Sequence, residues 1–380
     1  MTNQNLQTIL EDYFRWFHRH PERGFKENLT TARIKEILTQ LGIEIADTGL
    51  KTGLVGIIRG KHKGRVVALR ADIDALPIKE ESGLDYASEH DGCMHACGHD
   101  FHLTSLLGAA HLLKEHQDEL NGTIKLLFQP SEEMPGGAAA VLASGVLDDV
   151  EEIYGLHVAS DLASGIIALN PGPTNAAVGV LAIHIMGKGG HAAHPNQGSD
   201  PIVAQAQLIN ALQPLVSRNT DPFAQAVVSI THITAGHTWN VIPSEVHLEG
   251  TIRTFDQGVL DMLSKRLKEV CHGVGESCGV SIELDLRTDC PATYNDPKLT
   301  EFAGETARGL GLTVVQNMPS MGGEDFSLYQ KQIPGVFYFI GVGSKEPLHH
   351  PGFIADTAPL ASAAELMAAL GKGALTRIGQ

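Results

Sequence analysis

Short apolar runs alternate with amphipathic stretches along this chain, and the alternation changes type once. Gly53–Ile58, Val66–Leu69, Ile124–Phe128 and Glu151–Gly155 read as strands. Asn5–His20, Asn28–Leu41 and Phe101–His116 read as helices. Strands alternating with helices predict an α/β domain with a substantially parallel sheet. Near Pro171-Gly172-Pro173 the chain crosses a turn-rich joint. Beyond it come a strand (Val180–Met186), a helix (Pro201–Val216), two strands (Ala226–Ile233 and Glu245–Thr251), a helix (Val259–Val274) and a strand (Val280–Leu286). That βαββαβ order is the ferredoxin-like plan, at the size of a small inserted domain. After Pro291 the first pattern resumes: a helix at Pro297–Leu310, a strand at Val336–Ile340 and a helix at Leu360–Leu375. The pattern therefore predicts a discontinuous domain, residues 1–175 and 290–380, with a central mixed sheet flanked by helices. A ferredoxin-like satellite domain, residues 176–289, is inserted in it; two consecutive domains are the alternative.

Cys93-Met94-His95-Ala96-Cys97-Gly98-His99-Asp100 packs two thiols, two imidazoles and a carboxylate into eight residues. Soft and borderline divalent metals prefer such donors, and Gly98 allows a tight bend that aims Cys97 and His99 at one centre. Further donor residues follow strand-like runs: Asp72 and Asp74 after RVVALR, Glu132 and Glu133 after IKLLFQP, His157 after EEIYGL, and His349-His350 after VFYFIGVGSKEPL. Sites of open α/β sheets form outside the carboxyl ends of the strands, so these groups are expected to converge on one crevice. Taken singly, each has an ordinary reading. Asp72 and Asp74 could cap the next element, Glu132-Glu133 could be a solvated pair, and His157 could be structural. Cys93 and Cys97 could form half of a zinc ribbon, but no second such closely spaced cysteine pair lies in the chain. It is the convergence that favours a metal centre.

The balance of 28 Lys+Arg against 44 Asp+Glu, net −16, argues against nucleic acid or an anionic membrane as partner. The N-terminal stretch has no long apolar run, and no segment reaches the length of a membrane span. Five cysteines, an odd number in a chain of 380 residues, make a poor disulfide framework. A cytoplasmic location is the expectation.

ADIDALPIKEE (Ala71–Glu81), MHACGHD (Met94–Asp100), FQPSEEMPGGA (Phe128–Ala138), GKGGHAAHP (Gly187–Pro195), NVIP (Asn240–Pro243), GTIRTF (Gly250–Phe255), MGGEDFS (Met321–Ser327) and LHHPGF (Leu348–Phe353) occur in that order. In these motifs the chain resembles the dinuclear aminoacylase/carboxypeptidase metallohydrolases over essentially its whole length. It is most similar to the branch holding hippurate hydrolase, N-acetyldiaminopimelate deacetylase and the plant indoleacetyl-amino-acid hydrolases. The resemblance implies that residues 1–175 and 290–380 are catalytic and that the satellite domain serves as a lid and dimerisation unit.

It also implies two divalent metal ions per chain, with Mn, Zn, Co and Ni all open. Cys97, His99, Glu133, His157 and His349 match the ligands, Cys97 bridging, and His350 is the alternative to His349. Glu132 matches the general base that takes a proton from a metal-activated water. Asp72 falls where wider relatives place a histidine ligand; it is not counted as one here, and Asp74 becomes the carboxylate that orients His99. His191 matches an oxyanion donor, which in many relatives reaches the site from the other subunit of a dimer. Asn240 and Arg253 match substrate contacts, although a strand-end Asn and a surface Arg are their ordinary readings. A phosphate-loop reading of Gly187-Lys188-Gly189-Gly190 fails for want of the Lys-Ser/Thr ending. The expected activity is hydrolysis of the amide of N-acetyl- or N-benzoyl-type N-acyl-L-amino acids, by a homodimer or higher homo-oligomer. A carboxypeptidase or dipeptidase, or a non-catalytic binding protein on the same scaffold, are the alternatives.

Overall fold

The computed structural model of the protein describes residues 3–316 and 319–377. The chain divides into two compact units. The first takes the chain up to Gly172, the stretch beginning at Tyr294, and the stretch from Leu328 onward; the second takes Pro173–Thr293 and Pro319–Ser327. The sequence pattern assigns Pro319–Ser327 to the first domain. It joins the second because the Ala176 amide donates to the carbonyls of Ser320 and Gly322, and the Cys290 thiol lies against Ser327.

In chain order the main elements are α1 (Asn3–Arg19), α2 (Asn28–Gln40), β1 (Leu54–Arg59), β2 (His62–Asp72), α3 (His99–Glu115), β3 (Asn121–Gln129) and β4 (Glu152–Ala159). The second unit follows with β5 (Ala177–Met186), α4 (Pro201–Pro214), β6 (Ala226–Ala235), β7 (Glu245–Thr254), α5 (Gln257–Cys278) and β8 (Ser281–Cys290). The chain then returns to the first with α6 (Pro297–Gly309), β9 (Gly335–Gly341) and α7 (Leu360–Thr376).

The first unit is built on an eight-stranded mixed sheet in the order Glu44–Ile45, β1, β3, β2, β4, β9, Ile167–Ala168, Val314–Val315. Its middle is parallel: β2 pairs in parallel with both β3 and β4, and β9 pairs in parallel with β4. The carboxyl ends of these neighbouring strands therefore share one edge of the sheet. Strands buried on both faces read as continuous apolar runs, and β4 is buried from Glu152 to Ala159. Helix α1 buries Leu6, Leu10, Phe14 and Phe17, one stripe at helical spacing. Helix α3 is buried nearly all round and packs between the sheet, α1 and α7. Two-residue strands such as Ile167–Ala168 are too short to leave a period in the sequence.

In the second unit the order strand–helix–strand–strand–helix–strand forms an antiparallel sheet ordered β6-β7-β5-β8. Leu181, Ile183 and Ile185 bury alternate positions of β5, and α4 and α5 contribute Ala204, Leu208, Leu212, Leu260, Leu263 and Leu267 to the same core. Asp200 caps α4 by accepting from Ile202, Asp256 caps α5 by accepting from Val259, and left-handed Gly279 ends α5. Helix α4 stops at Pro214, short of the expected Val216, and a wider π-type turn, Leu215–Asn219, follows.

The α1–α3–α7 contact closes over Gly108, where an added Cβ would stand 2.5 Å from the Ala364 Cβ and 2.9 Å from a Leu10 methyl carbon. Gly108→Ala is expected to destabilise the first unit by about 1–3 kcal/mol, read as a lower urea midpoint in Trp16 fluorescence. An unchanged midpoint would show that this contact yields freely.

Candidate metal centre

The carboxylates, His157 and His349 expected at the centre come from the carboxyl edge of the parallel strands, and Cys97 and His99 from the entry to α3. Asp72 is the last residue of β2, Asp74 lies two residues beyond, and Glu132 and Glu133 lie just past β3. His157 sits within β4, paired with Phe339 of β9, and His349 arrives on the loop after β9. Cys97 and His99 flank Gly98, whose φ of 77° is left-handed and whose added Cβ would stand 2.5 Å from a Val158 methyl. Helix α3 begins at His99, two residues earlier than the sequence pattern places it, because the bend at Gly98 starts the helix directly.

Cys97, His99 and His157 each offer a donor atom within 4.8 Å of the others, and so do Cys97, Glu133 and His349. The thiol is thus common to two three-donor groups. One oxygen of Glu132 falls within the same distance of His99 and Glu133. His157 Nδ1 donates to the Val158 carbonyl at 2.7 Å, which leaves Nε2, 3.4 Å from Cys97 Sγ, with its lone pair. Burial lowers the His157 pKa to about 3, so this ring is neutral. The His349 backbone, at φ 64°, is left-handed and is held by its amide donating to the Ala96 carbonyl. Its Nε2 lies 3.4 Å from Glu133 Oε1. The ring of His350 instead lies 3.5 Å from Glu346, with Nδ1 accepting from the Gly352 amide.

The surrounding carboxylates differ in how they are compensated. Asp72 is fully buried, with Oδ2 taking the Arg70 guanidinium at 2.8 Å and Oδ1 taking His102 Nδ1 at 2.6 Å. Burial opposes its ionisation, but His99, His102 and Arg70 hold it well below the usual carboxylate range. Both oxygens are thereby engaged, and His99 Nε2 stays 3.8 Å away. Asp74 accepts from the Glu132 and Glu133 amides at 2.9 and 3.0 Å and lies 3.3 Å from His99 Nδ1. Asp100 accepts from His18 and from the Phe101 amide, so it braces the start of α3.

Sequence reasoning missed His102, Arg70 and Gln129. His102 is three residues after His99 on α3, one turn along the same face, which was the available signal. It donates to Asp72 and accepts from the Val158 amide at 2.9 Å, tying α3 to β4 beside His157. Arg70, fully buried near the end of an apolar strand, also donates to Gln129, which accepts in turn from Tyr329.

The donor set fits divalent ions on internal grounds. Both ring nitrogens of His99 and Oε1 of Glu133 are buried with no well-formed hydrogen bond, facing charged groups only at 3.3–3.8 Å. Burial and the charges of Glu133, Glu132 and Asp72 push the Cys97 thiol well above its ordinary pKa. Burial alone would lower the His99 pKa; Asp72, Asp74 and Glu133 raise it to about 10. Excess negative potential around unsatisfied donors is the condition a bound cation relieves.

In the second unit His191 and Asn240 lie side by side. Gly190–His191 pairs antiparallel with Val241–Ile242, and the Ala192 amide donates to the Asn240 carbonyl. His191 is exposed and its Nδ1 accepts from the Ala193 amide, so the proton sits on Nε2. Arg253, near the end of β7, donates to the Ile252 carbonyl and to Thr251.

Residues 68–372 match the model of peptidase family M20/M25/M40. The chain belongs to this family, and is a hydrolase of amide carbon–nitrogen bonds. It is 45% identical over 355 residues to an N-acetyl-L-cysteine deacetylase of Bacillus subtilis, spanning 93% of this chain and 85% of the relative. It is 38% identical to thermostable carboxypeptidase 2 of Saccharolobus solfataricus, spanning 90% and 89%. A Bacillus subtilis protein of solved structure, described as a dinuclear metal binding peptidase from the M20 family, superposes with a TM-score of 0.89 at 41% identity, covering 99% of this chain and all of that one.

With the thiol above its ordinary pKa and His99 at about 10, both carry protons at pH 7.5. Loading the metal-free protein should therefore release protons, and affinity should rise with pH. Cys97→Ser should release fewer and hold less than the wild-type complement of metal. An indicator-dye titration with metal analysis checks both; full occupancy with unchanged release would remove Cys97 from the centre.

Proposed function

We propose that this protein is a metal-dependent amidohydrolase that cleaves the amide of an N-acyl-amino acid, releasing a carboxylate and the free amino acid. The observation that carries this reading is the thiol shared by two donor groups, with a second carboxylate, Glu132, beside them. Cys97, His99, Glu133, His157 and His349 would hold two divalent ions, as the dinuclear description of the structural neighbour supports. Ions held there supply Lewis acidity, polarising the scissile carbonyl and acidifying a water. Glu132 would accept a proton from the attacking water and deliver it to the leaving nitrogen. His191 offers Nε2–H to the oxyanion. Asn240 and Arg253 hold the substrate, Arg253 through the paired donors of its guanidinium on the substrate carboxylate.

Strand length supports a homo-oligomer. Arg253 pairs with Val178 near the start of β5, whereas His191 and Asn240 lie beyond the other end, where Glu245 pairs with Met186. The strand from Glu245 to Arg253 spans about 27 Å, more than a small substrate bridges, so the two sets serve one substrate only if they come from different protomers. Strand β6 leaves a sheet edge on which Val227 and Ile233 are exposed, a surface suited to such pairing. Five unpaired cysteines are consistent with the reducing cytoplasm. Among the described residues no helix is long and apolar enough to cross a membrane.

The relative named as a carboxypeptidase supports a second reading, in which a peptidyl group replaces the acyl group. A turnover panel of N-acetyl, N-benzoyl and N-succinyl amino acids against dipeptides separates the two; faster cleavage of the dipeptides would establish the second.

Glu132→Gln should keep fold and metal content and lower kcat on the order of 10²–10⁴-fold; substantial residual turnover would refute the base assignment. Mixing inactive His191→Ala and Arg253→Ala chains should restore roughly a quarter of wild-type activity through mixed dimers. No recovery after proven subunit exchange would place both residues on one protomer's substrate, or one of them outside the site.

A further inference from the structure

Glu27 is fully buried and its carboxylate serves no helix. It occupies the position before α2 where side chains usually cap, yet makes no capping bond. Instead Glu27 Oε1 accepts from the Ser131 amide at 2.8 Å, across more than a hundred residues of sequence. The next two amides, of Glu132 and Glu133, are taken by Asp74. Three successive backbone N–H groups are thus held by two buried carboxylates. Ser131 is left-handed, with φ 54°, a conformation an L-residue leaves unless its surroundings enforce it. The turn is also walled by glycines, two from other segments and one from its own downstream end. An added Cβ would stand 2.5 Å from Ser131 Oγ at Gly24, 2.5 Å from Pro130 Cδ at Gly53, and 2.1 Å from the Pro130 carbonyl oxygen at Gly137.

We propose that Glu27 is a positioning residue for amide hydrolysis: its buried carboxylate, bonded to the Ser131 amide, fixes the left-handed turn that aims Glu132. The proposal rests on the reading of Glu132 as general base. Asp74 alone does not settle the turn, because it holds the two residues after Ser131 and leaves the serine's own amide without an acceptor. With Glu27 removed, Ser131 can relax toward ordinary φ and the Glu132 and Glu133 side chains shift with it, while the donors carried by α3, β4 and the His349 loop stay in place. Misplacing a reacting group by about 1 Å costs on the order of 100-fold in rate.

Three variants separate reach from charge. Glu27→Gln retains an oxygen for the Ser131 amide and should keep kcat within a few-fold. Glu27→Asp keeps the charge but falls a methylene short, and Glu27→Ala removes the acceptor. Both should lower kcat about 100-fold at saturating metal, with KM near wild type and with metal held more weakly, because Glu133 rides on the same turn. In the metal-free protein, amide hydrogen exchange at residues 131–133 should accelerate in the Asp and Ala variants and not in Gln; this holds on the Asp variant even where Ala fails to fold. Unchanged kcat and exchange in Glu27→Asp would overturn the proposal, as would a Gln variant as impaired as Asp. If Glu132→Gln is inactive while Glu27→Asp is fully active, this proposal alone falls. If Glu132→Gln is active, the base reading falls, and the proposal with it.

Discussion

Burying carboxylates is the constraint on which the first unit depends. An ionised group withdrawn from water is tolerated only when paired or hydrogen-bonded, and the groups here divide sharply on that criterion. Asp72 has Arg70 and His102, Asp74 has two backbone amides, Asp100 has His18 and its neighbour's amide, and Glu27 has the Ser131 amide. At the crevice itself Glu133 Oε1 and both nitrogens of His99 make no well-formed hydrogen bond and meet charged groups only at 3.3–3.8 Å. The outer carboxylates are each bonded at least once within the fold, whereas the inner groups only face one another across the crevice, the arrangement that favours the metal-centre reading.

Much of this was legible in the sequence because it depends on strand ends. Apolar runs marked β2, β3, β4 and β9, and a donor follows or ends each; once those strands are parallel neighbours, convergence of Asp74, Glu133, His157 and His349 follows from topology. Gly98 was legible for the same local reason, since a bend between two donors needs a left-handed residue. What stayed hidden is held by contacts across the fold. Glu27 reads as an ordinary helix-start glutamate, Arg70 as one charge near the end of a strand, and Gln129 as nothing in particular; each acquires meaning only from a partner distant in sequence. His102 lay between these cases, with its helical spacing visible but its partners, Asp72 and the Val158 amide, out of reach of any local pattern.

The second unit shows how a regular element sets distance. The ladder between β5 and β7 runs unbroken from Glu245–Met186 to Thr254–Ala177, and at about 3.4 Å per residue that register acts as a ruler. His191 and Asn240 are locked together by their own two-stranded ribbon past one end, and Arg253 is fixed at the other. Side-chain rotation does not close a gap of that length. The spacing of GKGGHAAHP, NVIP and GTIRTF along the chain gives no hint of it, because motif order carries no distance until strand register is known.

Two acids side by side can take different roles only if the backbone between them is neither strand nor helix. In a strand, neighbouring side chains point to opposite faces; in a helix they diverge by about 100°. Glu132 and Glu133 escape both because Ser131 turns left-handed just before them, and their oxygens then lie together near His99. The strain of one left-handed L-residue is about 1–2 kcal/mol. A backbone amide bonded to a charged acceptor returns about 1.5–3 kcal/mol, so one such bond offsets the strain, and three amides in this turn are so bonded. The geometry that brings two carboxylates to one face is therefore held by carboxylates outside the reaction. The same functional group serves at the centre and in its support, distinguished only by what each has been given to bind.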